Sequence, residues 1–448
     1  MGTEGPTSLK EVEEAVTTRQ RRIAENAKRL SEASFSALAH HMDVWWLYEA
    51  YRRTRKDAAV GIDGQTAEDY QQNLKENLES LKERAKSGLY RAPAVRRVNI
   101  PKPGSKETRA IGIPTFEDKV LQRAIVMLME PIYEQDFHGF SYGFRPGKSQ
   151  HQALQYLRNG LMENRGGWVI DLDIRKFFDT LDRSKLREIL AKRVSDGVIR
   201  RLIGKWLNAG VMENDELSYS ETGTPQGGVI SPLLSNIYLH EVLDTWFVTE
   251  VQPRMQGRCF LVRFADDAVL GFENKADAER VMAVLPKRFE KYGLTIHPEK
   301  TKLIDMRGPC KSDGMSQDGR EPGSTTFLGF KHYWAQSRKG RWVIKQKTDS
   351  KRLSRAVKNV TDWIKRNRHE SVGTQQEALS LKMKGHYGYY GVTGNYASLE
   401  SYYHAIVRNW FKWLNRRSRE RALNWTKFTL YLERFPLPRP RIVHSIYA

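Results

Sequence analysis

The apolar and polar positions in the first third of the chain predict helices followed by a β-hairpin. Residues 1 to about 85 have helical spacing, interrupted at Ala59–Gln65, where two glycines indicate a loop. Arg97–Thr115 alternates around a Pro-Gly pair, which is typical of a hairpin. Phe116–Tyr133 then carries apolar residues at helical spacing. We therefore expect a helical N-terminal extension, a hairpin and an apolar helix, in that order.

Two apolar segments that carry aspartates predict buried strands. In Trp168–Ile174, strict alternation gives one apolar face and places Asp173 on the other face, at the end of the strand. Phe260–Phe272 is apolar on both sides of the adjacent pair Asp266 and Asp267, which indicates two strands joined by a tight bend.

The segments that follow predict a mixed α and β region. Pro232–Trp246 and Ala276–Tyr292 have helical spacing, although Pro286 is expected to kink or interrupt the second helix. Arg307–Ser324 is rich in Gly, Ser, Pro and Asp, which predicts an exposed loop. The strands expected next are Thr325–Trp334 and Arg341–Lys345.

The last quarter of the chain predicts basic helices. Leu353–Ile364 and Ser398–Arg421 have apolar residues at three-to-four spacing, with Trp410 and Trp413 expected in the helix core. Residues 345–448 contain 21 Lys and Arg against 7 Asp and Glu, which places +14 of the formal net charge of +21 there. Such a field favours a nucleic-acid partner, the alternative being a solvated basic surface.

Composition restricts the class of protein. A chain of 448 residues has room for roughly three domains. Its 2 cysteines exclude a disulfide scaffold or a Cys-based zinc module, and its 11 histidines show no metal-ligand spacing. We find no signal peptide and no run of transmembrane length, so we expect a soluble, cytoplasmic protein.

The paired carboxylates suggest a metal site. Two adjacent negative charges resist burial unless a cation lies against them, and divalent metal is the simplest candidate. If Asp173 lies beside Asp266 and Asp267, three carboxylates could hold two Mg²⁺ ions roughly 3.5–4 Å apart, as phosphoryl transfer requires. The alternative for the pair is that Asp simply favours turns.

Five motifs carry a family resemblance. They are, in chain order, D-L-D-I-R-K-F-F-D, G-T-P-Q-G-G-V-I-S-P-L-L-S-N-I-Y-L, F-A-D-D, G-L-T-I-H-P-E-K-T-K and F-L-G-F. The set resembles reverse transcriptases, and in particular the proteins encoded by bacterial group II introns, from about Ala59 to the C-terminus. The resemblance implies an α+β right-hand polymerase, with fingers, a palm built on an antiparallel sheet and a helical thumb.

The resemblance also implies which residues act. Asp173, Asp266 and Asp267 would be catalytic ligands of two Mg²⁺ ions, and the backbone carbonyl of Ile174 would complete one metal shell. Lys300 is similar to the residue that protonates the leaving pyrophosphate, and the nearby Lys302 is left as an alternative.

Four further residues match positions that bind the incoming dNTP. Lys102 and Arg109 correspond to the fingers residues that clamp the triphosphate, the alternative being a charged, solvated hairpin. Phe178 corresponds to the bulky residue that excludes a 2′-hydroxyl; the alternative is core packing. Gln226 lies in the loop beside the nucleotide, where the alternative is a simple helix-entry turn.

The turn that contains Phe327 and Gly329 resembles the one that grips the primer, and a buried strand end is an equally good interpretation. One position departs from the family. Phe264 stands where members usually have Tyr before A-D-D, and the lost hydroxyl is expected to alter fidelity without abolishing catalysis.

The basic C-terminal region resembles a thumb and maturase region. Nucleic-acid contacts are expected from Arg408, Lys412, Arg416 and Arg417. The implied partners are intron RNA, an RNA template with a DNA primer, target DNA and dNTPs, with no membrane. The predicted domains are an N-terminal extension (1–85), fingers and palm (86–335), thumb (336–415) and a basic DNA-binding-like tail (416–448). No Cys/His-rich nuclease module follows, so we expect the HNH endonuclease of some relatives to be absent.

The sequence thus predicts an RNA-directed DNA polymerase of a group II intron, which also assists splicing and retrohoming by target-primed reverse transcription. Two alternatives remain. One is a maturase whose main role is RNA binding; the other is a bacterial reverse transcriptase outside introns, in defence or beside CRISPR.

Overall fold

The helices and strands agree closely with the predicted order. The computed structural model describes residues 8–101, 108–213, 216–218, 227–309, 321–417 and 423–445. The helices in these ranges are α1 (Leu9–Arg29), α2 (Val44–Arg53), α3 (Ala67–Gln72), α4 (Leu74–Ser87), α5 (Phe116–Asp136), α6 (Gln150–Glu163), α7 (Phe177–Thr180), α8 (Arg183–Arg193), α9 (Gly197–Leu207), α10 (Ser231–Leu239), α11 (Lys275–Glu290), α12 (Ser350–Arg366), α13 (Val372–Tyr390), α14 (Tyr396–Leu414) and α15 (Trp425–Arg434). The strands are β1 (Val95–Pro101), β2 (Thr108–Ile113), β3 (Trp168–Leu172), β4 (Val211–Glu213), β5 (Glu216–Ser218), β6 (Cys259–Phe264), β7 (Asp267–Phe272), β8 (Lys302–Asp305), β9 (Thr325–Phe327), β10 (Phe330–Gln336) and β11 (Trp342–Thr348).

The predicted helical N-terminal region is confirmed. Ser8 and Glu11 form a capping box that starts α1, each side chain bonding the other residue's backbone N–H. Helices α1 and α2 pack against α5, whose apolar sequence is buried on most sides. Ala59–Gln65 lies outside any helix, as its glycines predicted.

The strands of the described ranges form three sheets, with the orders β2–β1–β4–β5, β6–β7–β3–β8 and β11–β10–β9. The predicted hairpin is confirmed, since β1 and β2 pair antiparallel from Arg96 with Ile113 to Pro101 with Thr108. Strand β4 joins β1 in parallel, whereas β10 pairs antiparallel with both β9 and β11. Largely antiparallel sheets with many helices give the α+β class expected of a right-hand polymerase.

Two predicted strands have different bounds. Strand β3 ends at Leu172, two residues before the predicted end, so Asp173 follows the strand instead of closing it. Thr325–Trp334 is a hairpin, because Leu328 and Gly329 turn the chain with φ of 48° and 81°. Positive φ at both central residues matches the twist of a two-residue hairpin.

Two helix predictions also need correction. Helix α11 continues through Pro286, where an interruption was expected, and the fully buried Leu285 and Phe289 anchor it on both sides of the proline. Helix α14 ends at Leu414, before the predicted end at Arg421. There the Asn415 side chain bonds the backbone N–H and the backbone carbonyl of Leu423.

Contacts divide the chain into two compact units, each discontinuous in sequence. The first comprises residues 1–149, 172–270 and 279–302, and the second residues 150–171, 271–278 and 303–448. The core of the second unit is formed by α12, α13 and α14, where Trp410 is fully buried, as predicted. Trp413 is only partly buried beside that core. Within the described residues, no helix is both long and apolar enough to cross a membrane.

Candidate active site

The turn between β6 and β7 presents the first of the predicted catalytic carboxylates. Ala265 and Asp266 form this turn, and Ala265 has a φ of 56°, in the left-handed region that residues with a Cβ rarely adopt. Asp266 is partly buried at the bend, while Asp267 begins β7 and is exposed. A non-glycine residue held at positive φ is strained, and such strain persists only where the surroundings enforce it.

Asp173 is held by its backbone, directly after β3. Its N–H lies 3.2 Å from Thr301 Oγ1, and its carbonyl accepts the His297 N–H at 2.8 Å. The next residue, Ile174, forms an antiparallel bridge with Ile296. Because the residues flanking Ile174 make the hydrogen bonds of this bridge, its own carbonyl points away from residues 295–297.

Asp173 and Asp266 are close enough to interact electrostatically. Burial raises the pKa of the Asp266 carboxyl, and the negative charge of Asp173 adds to the increase. The positive charges of Arg109 and Arg263 act in the opposite direction. Asp173 and Arg109 are thus both close enough to Asp266 for their charges to act on its carboxyl.

A lysine completes this corner. Lys300 Nζ lies 3.5 Å from Asp173 Oδ2, with 61% of the lysine side chain and 35% of the aspartate side chain exposed. Lys302, the alternative, is the exposed first residue of β8.

The donor set suits a hard divalent cation. The carboxylate oxygens of Asp173 and Asp266 and the backbone carbonyl of Ile174 are the ligand types that Mg²⁺ prefers. The partly buried Asp266, with its pKa raised by burial and by a like charge, is a carboxylate that a cation would stabilise. In the described part of the chain, however, no three His, Cys, Asp or Glu side chains already form a group able to hold a metal ion.

The residues expected around the nucleotide are only partly described. Phe177 is buried, but Phe178 is partly exposed, with the two rings edge to face at 5.3 Å. The core alternative thus fits Phe177 better than Phe178. Lys102 and Gln226 lie outside the described residues. Gly227, beside Gln226, has a φ of 120°, and a Cβ there would lie 2.6 Å from the Gly112 carbonyl of β2.

The second unit contains the turn expected to grip the primer. Phe327 is buried, so its side chain packs inside, and the turn itself is formed by Leu328 and Gly329. Tyr389 Oη donates to the Leu328 carbonyl at 2.8 Å, and the Asp349 N–H donates to the Gly329 carbonyl at 3.0 Å. The turn is therefore fixed by the helices that follow it.

The predicted nucleic-acid residues of the C-terminal region are all exposed. Arg408 and Lys412 lie on α14, and Arg416 stacks its guanidinium 5.1 Å from the centre of the Trp413 ring. Arg417 differs, because its guanidinium bonds the backbone carbonyls of Arg368 and Glu370. The Arg417 guanidinium is therefore bonded to the protein's own backbone, although the side chain is exposed.

Sequence reasoning missed the groups that hold the Asp266 turn. Arg263, in the strand before the turn, is fully buried and paired with the equally buried Asp244. The signal was present in F-L-V-R-F-A-D-D, since an arginine within an apolar strand must find a buried partner. The partner itself is 19 residues away and no local pattern identifies it.

Known proteins resemble this chain over much of its length. The family model described as "Reverse transcriptase (RNA-dependent DNA polymerase)" matches residues 100–332. Protein YkfC of Escherichia coli is 42% identical over 294 residues, covering 58% of this chain and 76% of YkfC. The group II intron-encoded protein LtrA of Lactococcus lactis is 36% identical over 226 residues, 49% of this chain and 37% of LtrA. Nuclear intron maturase 4 of Arabidopsis thaliana is 26% identical over 43% of this chain.

The chain thus matches only about a third of LtrA but three quarters of YkfC. The family model covers more than half of the chain and includes Asp173, Asp266 and all of β2. This chain belongs to the reverse transcriptases, the RNA-dependent DNA polymerases, and is similar to proteins encoded by group II introns.

Proposed function

We propose that this reverse transcriptase serves a group II intron, copying RNA into DNA at the Asp266 corner and binding intron RNA to assist splicing and retrohoming. The observation that carries the catalytic part is the electrostatic coupling of Asp173 to Asp266, which stand 93 positions apart in the sequence. The similarity to LtrA supports the intron part. The bacterial relatives support a cytoplasmic place of action.

Reverse transcriptases use divalent metal ions, and we infer that Asp173, Asp266, Asp267 and the Ile174 carbonyl hold two Mg²⁺ ions here. Bound metal would activate the primer 3′-hydroxyl and neutralise charge on the leaving pyrophosphate. Asp267, the exposed first residue of β7, would supply the third carboxylate.

The protein's own groups have separate tasks. Thr301 and the His297 N–H fix the backbone of Asp173, so its carboxylate approaches from a defined direction. Arg109 is exposed and its charge acts on Asp266, which supports a role in binding the triphosphate. Lys102 and Gln226 are proposed to share that role.

Nucleic acid would lie along the basic surface of residues 345–445. Exposed cations there, including Arg408, Lys412 and Arg416, can neutralise backbone phosphates. The Arg416 guanidinium lies over the ring of the partly buried Trp413. We retain the predicted division into extension, fingers and palm, thumb and tail as part of this proposal. RNA template with DNA primer, intron RNA and target DNA are the proposed partners.

The polymerase test is primer extension. Purified protein with an RNA template, a DNA primer, dNTPs and Mg²⁺ should extend the primer, and Asp266→Asn should reduce the rate by at least about 10³-fold because an isosteric amide cannot hold the cation. Glu76→Gln, on the exposed face of α4, is the control for loss of a surface charge. Equal extension by wild type and Asp266→Asn would refute the assignment.

The intron role needs a separate readout. Splicing of an intron RNA carrying this gene should survive Asp266→Asn but fall when Arg408 and Arg416 are both changed to Gln. Arg200→Gln, an exposed change on α9, controls for lost positive charge. Splicing that is indifferent to the paired change would leave polymerisation as the function and remove the maturase role.

A further inference from the structure

Arg263 makes a fully buried set of hydrogen bonds beside the catalytic turn. Its Nε and Nη2 donate to the two carboxylate oxygens of Asp244 at 2.8 and 2.5 Å, and neither side chain has any exposed surface. Burial alone would raise the pKa of Asp244, but the charge and hydrogen bonds of Arg263, with a contribution from His240, hold it below its ordinary value. The pair is therefore ionised inside the first unit.

The remaining arm of the guanidinium reaches the turn itself. Arg263 Nη1 donates to the Ala265 carbonyl at 3.0 Å and to Asn236 Oδ1 at 2.9 Å. Asn236 Nδ2 in turn donates to the Gly143 carbonyl at 2.7 Å. A Cβ on Gly143 would lie 2.3 Å from the Ala265 nitrogen, so the Gly143 backbone lies directly against the turn.

The backbone of Arg263 is fixed as well. Its N–H donates to the Phe140 carbonyl, and its own carbonyl accepts the Tyr142 N–H, both at 2.9 Å. The carboxylate partner, Asp244, lies in a π-helical segment, His240–Thr245, that follows α10. Single π turns are frequent at functional sites because they shift a side chain out of α-helical register.

Stability does not explain why Arg263 and Asp244 are buried together. Replacing a buried ion pair with apolar side chains is often neutral or favourable, so burying Arg263 and Asp244 contributes little net free energy. What the planar guanidinium supplies is a fixed fork, which holds Asp244, Asn236 and Ala265 at once. The bond to Ala265 acts on a residue that is held at a strained, positive φ.

We propose that Arg263 is a positioning residue that locks the Ala265–Asp266 turn in its left-handed form and thereby aims the Asp266 carboxylate at Asp173. The inference rests on the proposed catalytic role of Asp266. In this proposal Arg263, which is buried and touches no substrate, controls the rate of the chemical step.

The test compares Arg263→Lys with a matched control, Arg193→Lys. Arg193 is also a buried arginine, bonded to both oxygens of Asp136 at 2.7 and 3.0 Å and to the backbone carbonyls of Leu30 and Ala33. Both variants should lower the melting temperature. Only Arg263→Lys should lower kcat of primer extension, by about 10-fold or more, with KM for dNTP changed less than about threefold.

A second variant separates positioning from general damage. Glycine adopts positive φ without strain, so Ala265→Gly should recover at least about threefold of the kcat lost in Arg263→Lys and should not rescue Arg193→Lys. Mn²⁺ binding to the protein alone, measured by electron paramagnetic resonance, should weaken about fivefold or more in Arg263→Lys and stay unchanged in Arg193→Lys. If Arg263→Lys does not fold, Asn236→Ala, which removes one acceptor, should give the same kcat effect.

Unchanged kcat or Mn²⁺ affinity in a folded Arg263→Lys, or no rescue by Ala265→Gly, would overturn the inference. Asp266→Asn is measured in parallel. If that variant is fully active, the catalytic proposal itself fails; if it is inactive while Arg263→Lys is normal, only the positioning role fails.

Discussion

Lys300 Nζ lies 3.5 Å from the Asp173 carboxylate, and the lysine side chain is mostly exposed. The Lys300–Asp173 pair is exposed, and exposed ion pairs of this kind contribute little to stability. In the proposed reaction, pyrophosphate would leave beside this ammonium.

We expect Lys300→Ala to lower kcat for single-nucleotide incorporation by about 10²-fold, because a positioned general acid contributes that much or more. Lys302→Ala serves as the control, since Lys302 is two residues away and exposed at the start of β8. Rapid-quench measurement of one incorporation step isolates the chemistry. Equal losses in the two variants would mean that charge near the corner matters, and not the position of Lys300.

Phe178 should discriminate between deoxyribonucleotides and ribonucleotides. Its ring is partly exposed and held edge to face against the buried Phe177. Phe178→Ala should reduce the ratio of kcat/KM for dCTP over CTP by about 10- to 100-fold, because the obstacle to a 2′-hydroxyl is gone. Phe177→Leu keeps a buried apolar side chain next to Phe178, so it should lower the melting temperature and change that ratio much less than Phe178→Ala does. The opposite pattern would assign Phe178 to the core.

Gly329 allows a matched pair of substitutions. It has a φ of 81°, and an added Cβ would lie 3.0 Å from Tyr390 Oη; Gly340 has a φ of 71° with nothing within 4 Å. Both Gly→Ala changes should cost about 1 kcal/mol from backbone strain. Only Gly329→Ala also displaces Tyr390, so it alone should weaken binding of an RNA–DNA primer duplex in a fluorescence anisotropy titration. Equal affinities would argue that the turn does not touch the primer.

The sequence identifies the candidate catalytic residues better than it identifies the contacts that hold them in place. The Asp266–Asp267 bend, the hairpin at Arg97–Thr115 and the buried Trp410 follow from periodicity and turn preferences, which are local properties. The left-handed Ala265 could not be predicted, because alanine has no local preference for that conformation. Arg263 bonds the Ala265 carbonyl and pairs with Asp244, a tertiary contact that no local pattern indicates.

Helix ends illustrate the same limit. Ser398–Arg421 was expected to form one helix, yet α14 ends at Leu414, where the Asn415 side chain bonds both backbone polar groups of Leu423. The interruption expected at Pro286 does not occur, since burial of Leu285 and Phe289 offsets the roughly 3 kcal/mol that an internal proline costs. In both cases tertiary packing overrides the local preference.

His332 predicts a pH dependence of stability in the second unit. The ring has no exposed surface, and Gln346 Nε2 lies 3.0 Å from its Nε2. The same amide donates to the Leu154 carbonyl at 3.0 Å, so it faces the ring with its N–H groups and the ring nitrogen is the acceptor. Burial, aided by the charge of Arg158, lowers the pKa of His332 to about 4.

The pKa of His332 in the folded protein lies below the ordinary value of 6.5, so its imidazole binds a proton more readily in the unfolded chain. The stabilisation is complete above pH 6.5 and is lost progressively as pH falls towards 4. As the pH falls from 7 to 5, protonation of His332 in the unfolded chain should lower the free energy of unfolding by about 2 kcal/mol. His332→Gln should therefore be less stable than wild type at pH 7 but lose less stability on acidification.

Urea unfolding at pH 7 and pH 5, followed by fluorescence of the tryptophans in the second unit, measures this difference. The control is His369→Gln, at an exposed position after α12, which should leave the pH dependence of wild type intact. A steeper loss of stability on acidification in His332→Gln would show that the ring is charged in the fold. The amide of Gln346 would then have to present its oxygen, since an N–H group cannot accept the proton on a charged imidazole.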